Sequence, residues 1–552
     1  MRKREASVVT VQVGQCGNQV GSALFDVLAH EASRARRLDA GRPGGEAAVA
    51  GAYFCEAAAE APLPMTARAV LVDSEPKVVS ACIGAAARSP HNWRYDAAGA
   101  ACVAECGRGS ANNWAYGYHI HGRSGLRDRV RESVRRQVEA CDWFEGFLVV
   151  QSAAGGTGSG LGSALTAALR DDYGLATVAN VLVWPYQCGE VIVQNYNAVL
   201  TLANVLPFSD SVVMFENTRV HGICSGSLRM ARPAFRQLNG VIARDLAAGV
   251  LLPATSYSAA AEGRPNVGRP AAAGAAGCAA GGGGLSGVLG DLCAHPAYKL
   301  VGVHSTPQEP ERSRAFSTHS WPALLKQLRQ DCARSAEATL HGRLVLRGQG
   351  AAGVVRSFYA AGADAGIGAD IGGAGATSAA GRSGAGCGSG SGSGSGRGSG
   401  PVGAPAGGSR RQPRGAGPTD RAGPAFTAHQ LEQQGAALRE SIVALGQLSP
   451  AWRRGGNAGV VPYEDARSAA TFGLRGCSAS FDGHERHATL VSVNSGVVAP
   501  LRAALQRCYA MLQAGAYLHE YAQHGVEKAD MVEAAACLEQ VVQDYGAIAR
   551  GR

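Results

Sequence analysis

The chain before residue 259 alternates between two periods of apolar residues. Ser7–Val13 (SVVTVQV) is a β-branched run that predicts a strand, and it leads into Gly14-Gln15-Cys16-Gly17. From Asn18 to about Arg37, apolar Val20, Leu24, Val27 and Leu28 recur at helical spacing. Ala69–Val72 predicts a second buried strand, which ends at Asp73. Phe147–Val150 predicts a third, followed by glycines and by a helix from about Ser159, and Val178–Val183 and Val212–Phe215 add two more. Apolar strands alternating with helices predict an α/β fold, a parallel sheet covered on both faces. Such sheets bind ligands at the carboxyl ends of their strands, where the glycine loops and Asp73 fall. Farther on, strand-like pieces appear at Arg343–Leu346 and Ala488–Val493. Val497–Tyr521 and Glu527–Ala549 read as a pair of long helices joined at His524-Gly525. The expected units are an α/β domain over 1–234 with a core helix over 235–258, an α+β domain over 285–496, and C-terminal helices over 497–552.

Two stretches break the pattern. Residues 259–284 are nearly all Ala, Gly and Pro, and 350–425 contain a Gly-Ser alternation from Gly388 to Gly400. Neither offers enough apolar surface to offset the entropy of ordering, so both are expected to be disordered insertions. The 76 glycines cluster without a period of three, which excludes a collagen. Of the net charge of +9, the segment 381–425 carries +5 with no aromatic residue interleaved, so a dedicated nucleic-acid reader is excluded. No apolar run is long enough to cross a membrane. The basic start, Met1-Arg2-Lys3-Arg4, is followed by too short an apolar run for a secretory leader, and an intracellular protein is expected. Fifteen scattered cysteines argue against a disulfide framework, and Cys102 and Cys106 with His119 and His121 lack the paired spacing of a zinc site.

The densest chemistry lies in Gln151–Gly160 (QSAAGGTGSG). Gly155, Gly156, Gly158 and Gly160 let backbone N–H groups approach a phosphate, Thr157 and Ser159 add hydroxyls, and the following helix contributes its positive end. No lysine follows the glycines, so this is not a Walker loop, and the spacing departs from the dinucleotide fingerprint.

Ala154–Gly160 (AGGTGSG) resembles the signature of the tubulin family. Gly14–Gln19 (GQCGNQ) matches that family's first nucleotide loop letter for letter, Asp73–Pro76 (DSEP) resembles the second, and Ala111–Ala115 (ANNWA) the third. Asn112–Tyr118, Trp184–Asn197, Leu324–Gln330 and Leu538–Tyr545 resemble one branch of the family, which serves centrioles and basal bodies. The resemblance covers roughly residues 1–255, 285–350 and 465–550. It implies a tubulin-like fold with a Rossmann-like GTP-binding domain, an α+β intermediate domain and a C-terminal helical hairpin. It also implies GTP or GDP and Mg²⁺ as ligands.

On that resemblance Gln15 and Cys16 lie beneath the phosphates, with Ser152, Gly155, Gly156, Thr157 and Gly158 around them, and Asn112 donates to the terminal phosphate. Asp73 and Glu75 hold Mg²⁺ through water, as a hard cation prefers. Asn217 and Asn239 would accept from the N1 and N2 donors of guanine, with Phe235 stacking where the family usually has tyrosine; Glu190 takes the ribose, with Gln194 nearby. Hydrolysis in the family is completed across a longitudinal contact. Here Asp291, in Leu289–Leu292, would face a neighbour's nucleotide, but Ala294 stands where an acid would orient water.

The implied partners are other tubulins and the microtubules of centrioles, basal bodies and cilia or flagella, with neither nucleic acid nor membrane. The implied role is in triplet microtubules, with nucleotide as an assembly switch. The C-terminal helices end without the acidic tail typical of the family. The alternatives are a self-polymerising GTPase of the alpha/beta-tubulin type and, more remotely, a Rossmann-type enzyme using a dinucleotide or adenosyl cofactor.

Overall fold

The computed structural model describes residues 6–38, 47–55, 64–97, 99–104, 109–187, 189, 191–254, 284–314, 316–334, 337–355, 442 and 472–550. Its strands are β1 (Ser7–Val13), β2 (Phe54–Cys55), β3 (Met65–Ala67), β4 (Ala69–Asp73), β5 (Trp93–Arg94), β6 (Ala101–Val103), β7 (Phe144–Ser152), β8 (Thr177–Trp184), β9 (Ser211–Glu216), β10 (Leu300–Thr306), β11 (Thr339–Gly348), β12 (Phe472–Cys477) and β13 (Arg486–Asn494). Ten of them form one sheet in the order β12-β11-β13-β10-β9-β8-β7-β1-β4-β6. From β6 to β10 every pairing is parallel, whereas β13 runs antiparallel to both β10 and β11. The parallel α/β sheet read from the sequence is therefore present, and the later strands extend it as a mixed sheet. Strands β2, β3 and β5 make a small separate sheet.

Alternate residues of the parallel strands feed opposite cores. Val9, Val11, Phe147 and Val149 pack under helices Gly125–Glu139 and Gly162–Asp172. Val8, Leu148, Val150 and Val181 face helices Gly14–Leu38, Gln194–Val205 and Phe235–Leu246, with Val498–Gln513 and Lys528–Arg550 packed outside them. Burial on both faces explains why these strands read as unbroken apolar runs. A third core joins helix Trp321–Arg334 to Leu344, Leu346, Ala488 and Leu490.

Three expectations change. The first helix starts at Gly14 rather than Asn18, because Gly14 at φ +73° makes the whole strand-to-helix turn in one residue. The helix expected over Val497–Tyr521 is split into Val498–Gln513 and Leu518–Ala522, with Gly515 and Tyr517 in the left-handed region between them. Residues 350–355, counted above within an insertion, include a helical turn over 351–355 that buries Ala351 and Val355 in the third core. The rest of that insertion and nearly all of 259–284 lie outside the described residues. Among the described residues, no helix is long and apolar enough to cross a membrane.

Candidate functional site

Five parallel strands deliver their carboxyl ends to one cavity of about 560 Å³, lined there by Gln15 after β1, Asp73 at the end of β4, Ser152 at the end of β7, Pro185 after β8 and Asn217 after β9. The floor is built from backbone in close contact. A Cβ on Gly14 would lie 2.7 Å from the Gly158 nitrogen, and one on Gly156 would lie 2.7 Å from that of Asn113. The first and third loops nest against the signature loop only because these positions carry no side chain. Thr157–Leu161 forms one wide turn before helix Gly162–Asp172, so the signature loop lines the cavity at a helix start, where backbone N–H groups lack intrahelical partners. Ala111 and Asn112 are both left-handed, at φ +47° and +56°, which turns the third loop back over the site.

A hydroxyl relay joins these loops. Thr157 Oγ1 is 2.7 Å from both Ser74 Oγ and Ser110 Oγ. The Asp73 carboxylate accepts from the Ser74 N–H at 2.8 Å, yet burial still raises its pKa to about 6. Burial also pushes the Cys16 thiol up to about 12, so it packs as a neutral thiol rather than acting as a nucleophile. The donors grouped here (the Asp73 and Glu75 carboxylates and the Ser74 and Thr157 hydroxyls) are all oxygens, a set that fits Mg²⁺.

The cavity is also lined by Asn217, Phe235 and Asn239. Phe235 opens helix Phe235–Leu246 and Asn239 follows one turn later on the same face. The ring of Phe235 is 46% exposed, an apolar plate at the rim, while Asn239 is buried.

Gln15, Cys16, Asp73, Glu75, Asn112, Ser152, Gly155, Gly156, Thr157, Gly158, Asn217, Phe235 and Asn239 thus all line the cavity. Glu190 lies outside the described residues. Asp291 is elsewhere: its helix, Leu285–Leu292, is tied through the Ser286 N–H to Glu145 near the amino end of β7, the opposite pole of the strands. There Asp291 pairs with Arg343 and stays 66% exposed.

Sequence reasoning missed Ser110 and Tyr186, which also line the cavity, and above all Asn197. Asn197 is fully buried. Its amide donates to the Asn112 and Ala154 carbonyls, both at 2.7 Å, and its oxygen accepts from the Trp114 N–H at 3.0 Å and the Tyr521 hydroxyl at 2.6 Å. One side chain thereby clamps two nucleotide loops to the C-terminal helices. Its position, on helix Gln194–Val205 beneath the loops, was the missing signal.

The comparisons agree with this geometry. Residues 7–225 match the model of the Tubulin/FtsZ family, GTPase domain. The chain is 30% identical to a tubulin delta chain of Mus musculus over 98% of its own length and 99% of that relative. It is 37% identical to a tubulin delta chain of Homo sapiens over 59% of this chain and 66% of that one. Similarity to a tubulin beta-1 chain of Colletotrichum graminicola is 35% over 43% of this chain and 51% of the relative. The fold is that of a Tubulin/FtsZ-type GTPase-domain protein. The chain belongs to the tubulin family, in its delta-tubulin branch. That membership sets aside the dinucleotide- or adenosyl-cofactor reading.

Proposed function

We propose that this protein is a GTP-binding structural subunit of centrioles and basal bodies, serving triplet microtubules, in which the bound nucleotide biases assembly. The observation that carries the reading is one cavity that unites the glycine-bearing first and signature loops, and the loops at Asp73 and Ala111, with Asn217, Phe235 and Asn239. The loop N–H groups and hydroxyls suit a polyphosphate. The two amides suit the donor and acceptor edge of guanine, with Phe235 stacking on its face. Asp73 and Glu75 would hold Mg²⁺, which when bound would offset phosphate charge. The residues' own contribution is to position: Thr157 links three loops, and Asn197 passes their placement to the C-terminal helices.

The location at centrioles and triplet microtubules rests on the resemblance of Trp184–Asn197 and the other branch-specific segments. The cavity and the exposed Asp291 stand at opposite poles of the strands, an arrangement that supports head-to-tail contact with another tubulin. Asp291 would then face a neighbour's nucleotide, but it is tied to Arg343 and carries no catalytic-base assignment.

The test is nucleotide content and turnover of the purified protein. Bound guanine nucleotide with little phosphate release, alone or with alpha/beta-tubulin, is expected. Turnover rising steeply with protein concentration would instead favour the self-polymerising GTPase, and absence of guanine nucleotide would overturn the reading.

A further inference from the structure

Away from the nucleotide cavity, the chain gathers an imidazole, a thiol and a carboxylate. Cys332 lies in the last turn of helix Trp321–Arg334, and the Glu337 N–H donates to its carbonyl at 3.3 Å, so the chain leaving the helix brings both side chains to one point. Strand β10 supplies His304, whose Nε2 is 2.9 Å from the Glu337 carboxylate. One donor atom of each residue lies within 4.8 Å of the other two, and His304 and Cys332 are 3% and 2% exposed.

We infer that His304, Cys332 and Glu337 form a zinc site. Tetrahedral zinc sets nitrogen and oxygen donors about 3.3 Å apart, and nitrogen and sulfur about 3.6 Å apart. The histidine and glutamate already stand near that separation, and the thiol lies within 4.8 Å of both. Nitrogen, sulfur and oxygen donors together suit a borderline-soft dication and not Mg²⁺. A thiolate and a carboxylate neutralise the ion, and the helix's carbonyl end adds favourable potential. The nearby cations have other partners: Arg334 pairs with Asp331 at 3.0 Å, and Arg219 donates to the Val303 carbonyl at 2.7 Å. Water completes the fourth position. Next to the cluster, Ala338 and Ser495 exchange hydrogen bonds of 2.9 Å just before helix Val498–Gln513. The ion therefore braces the joint between the mixed half of the sheet and the C-terminal helices, whatever the nucleotide cavity binds.

The test is metal analysis of the full-length protein purified without chelator, then reloaded with zinc and desalted. One zinc per chain is expected, retained in Cys508→Ser and lost in both Cys332→Ser and His304→Gln. Cobalt should give a thiolate charge-transfer band that Cys332→Ser lacks. Chelator should lower the parent's melting temperature, and zinc should restore it. Glu337→Gln, which keeps the side chain's shape, should weaken zinc retention if the other variants fold poorly. Substoichiometric zinc in the reloaded parent, or equal zinc in Cys332→Ser or Glu337→Gln, overturns the site.

Discussion

The two halves of the ten-stranded sheet are built on different terms. In the parallel half the strand interiors are mainly Val, Leu and Phe, the polar side chains buried among them (Thr10, Gln12, Gln151 and Asn180) are uncharged, and Asp73 stands at a carboxyl end. In the mixed half, polar and charged residues are buried within the strands: His304, Arg343, Arg347, His487 and Thr489. Arg347 has its guanidinium spread over the carbonyls of Ala248, Leu252 and Pro253, at 2.9, 2.6 and 3.1 Å. Arg343 donates to the Gly287 carbonyl and to Asp291. Apolar burial tolerates variation in shape, whereas a buried fork demands a particular partner. The first half is a rigid platform for a ligand, and the second is a set of specific joints between the sheet, helix Phe235–Leu246, helix Leu285–Leu292 and the C-terminal helices.

Arg347→Leu should break this contrast most strongly. It orphans three carbonyls and should cost about 3 kcal/mol or more in equilibrium denaturation. Arg347→Lys should fare nearly as badly, because a lysine cannot fork. A lysine variant as stable as the parent would mean that the mixed half is held by apolar packing after all.

In the platform half, Asn239→Leu should leave stability almost unchanged but weaken GTP about 10–100-fold, the worth of about 1–3 kcal/mol of lost hydrogen bonding. Calorimetry with GTP and ATP distinguishes the cases: equal losses would show that Asn239 does not read the base.

Tyr521→Phe tests the link between the platform's loops and the C-terminal helices. Asn197 keeps its bond from Trp114, so the loss should be about 1 kcal/mol, seen as faster nucleotide release. An unchanged release rate with lowered stability would make the tyrosine a packing residue.

The smallest effect is expected at His484. Burial, with Arg314 nearby, holds its pKa to about 4, below the ordinary 6.5, although it faces Glu309 at 3.5 Å. The unfolded chain takes up the proton that the folded one refuses, so this share of stability is complete above pH 6.5 and is lost as pH falls towards 4. By pH 6 the loss amounts to about 0.8 kcal/mol. His484→Gln should flatten that slope, and a parallel pH profile would assign the acid sensitivity elsewhere.

The sequence alone determined the parallel strands, since burial on both faces leaves an unbroken apolar run. It also determined the loops, since close phosphate approach needs glycine at fixed positions. Asn217, Phe235 and Asn239 were legible because a motif can be counted along the chain even where the chain detours between its parts. The tertiary structure decided what depends on meetings between distant segments. Asn197 shows its role only when Asn112, Ala154 and Tyr521 converge on it. The break at Tyr517 interrupts an apolar pattern that continues smoothly in sequence. Cys102, Cys106, His119 and His121 are neighbours in sequence, yet among the described residues the imidazole, thiol and carboxylate that gather come from β10, a helix end and the turn before β11. Period and spacing are local properties that a chain displays directly. A hydrogen-bond clamp or a ligand cluster is fixed by which elements pack together, and the packing of the whole core decides that.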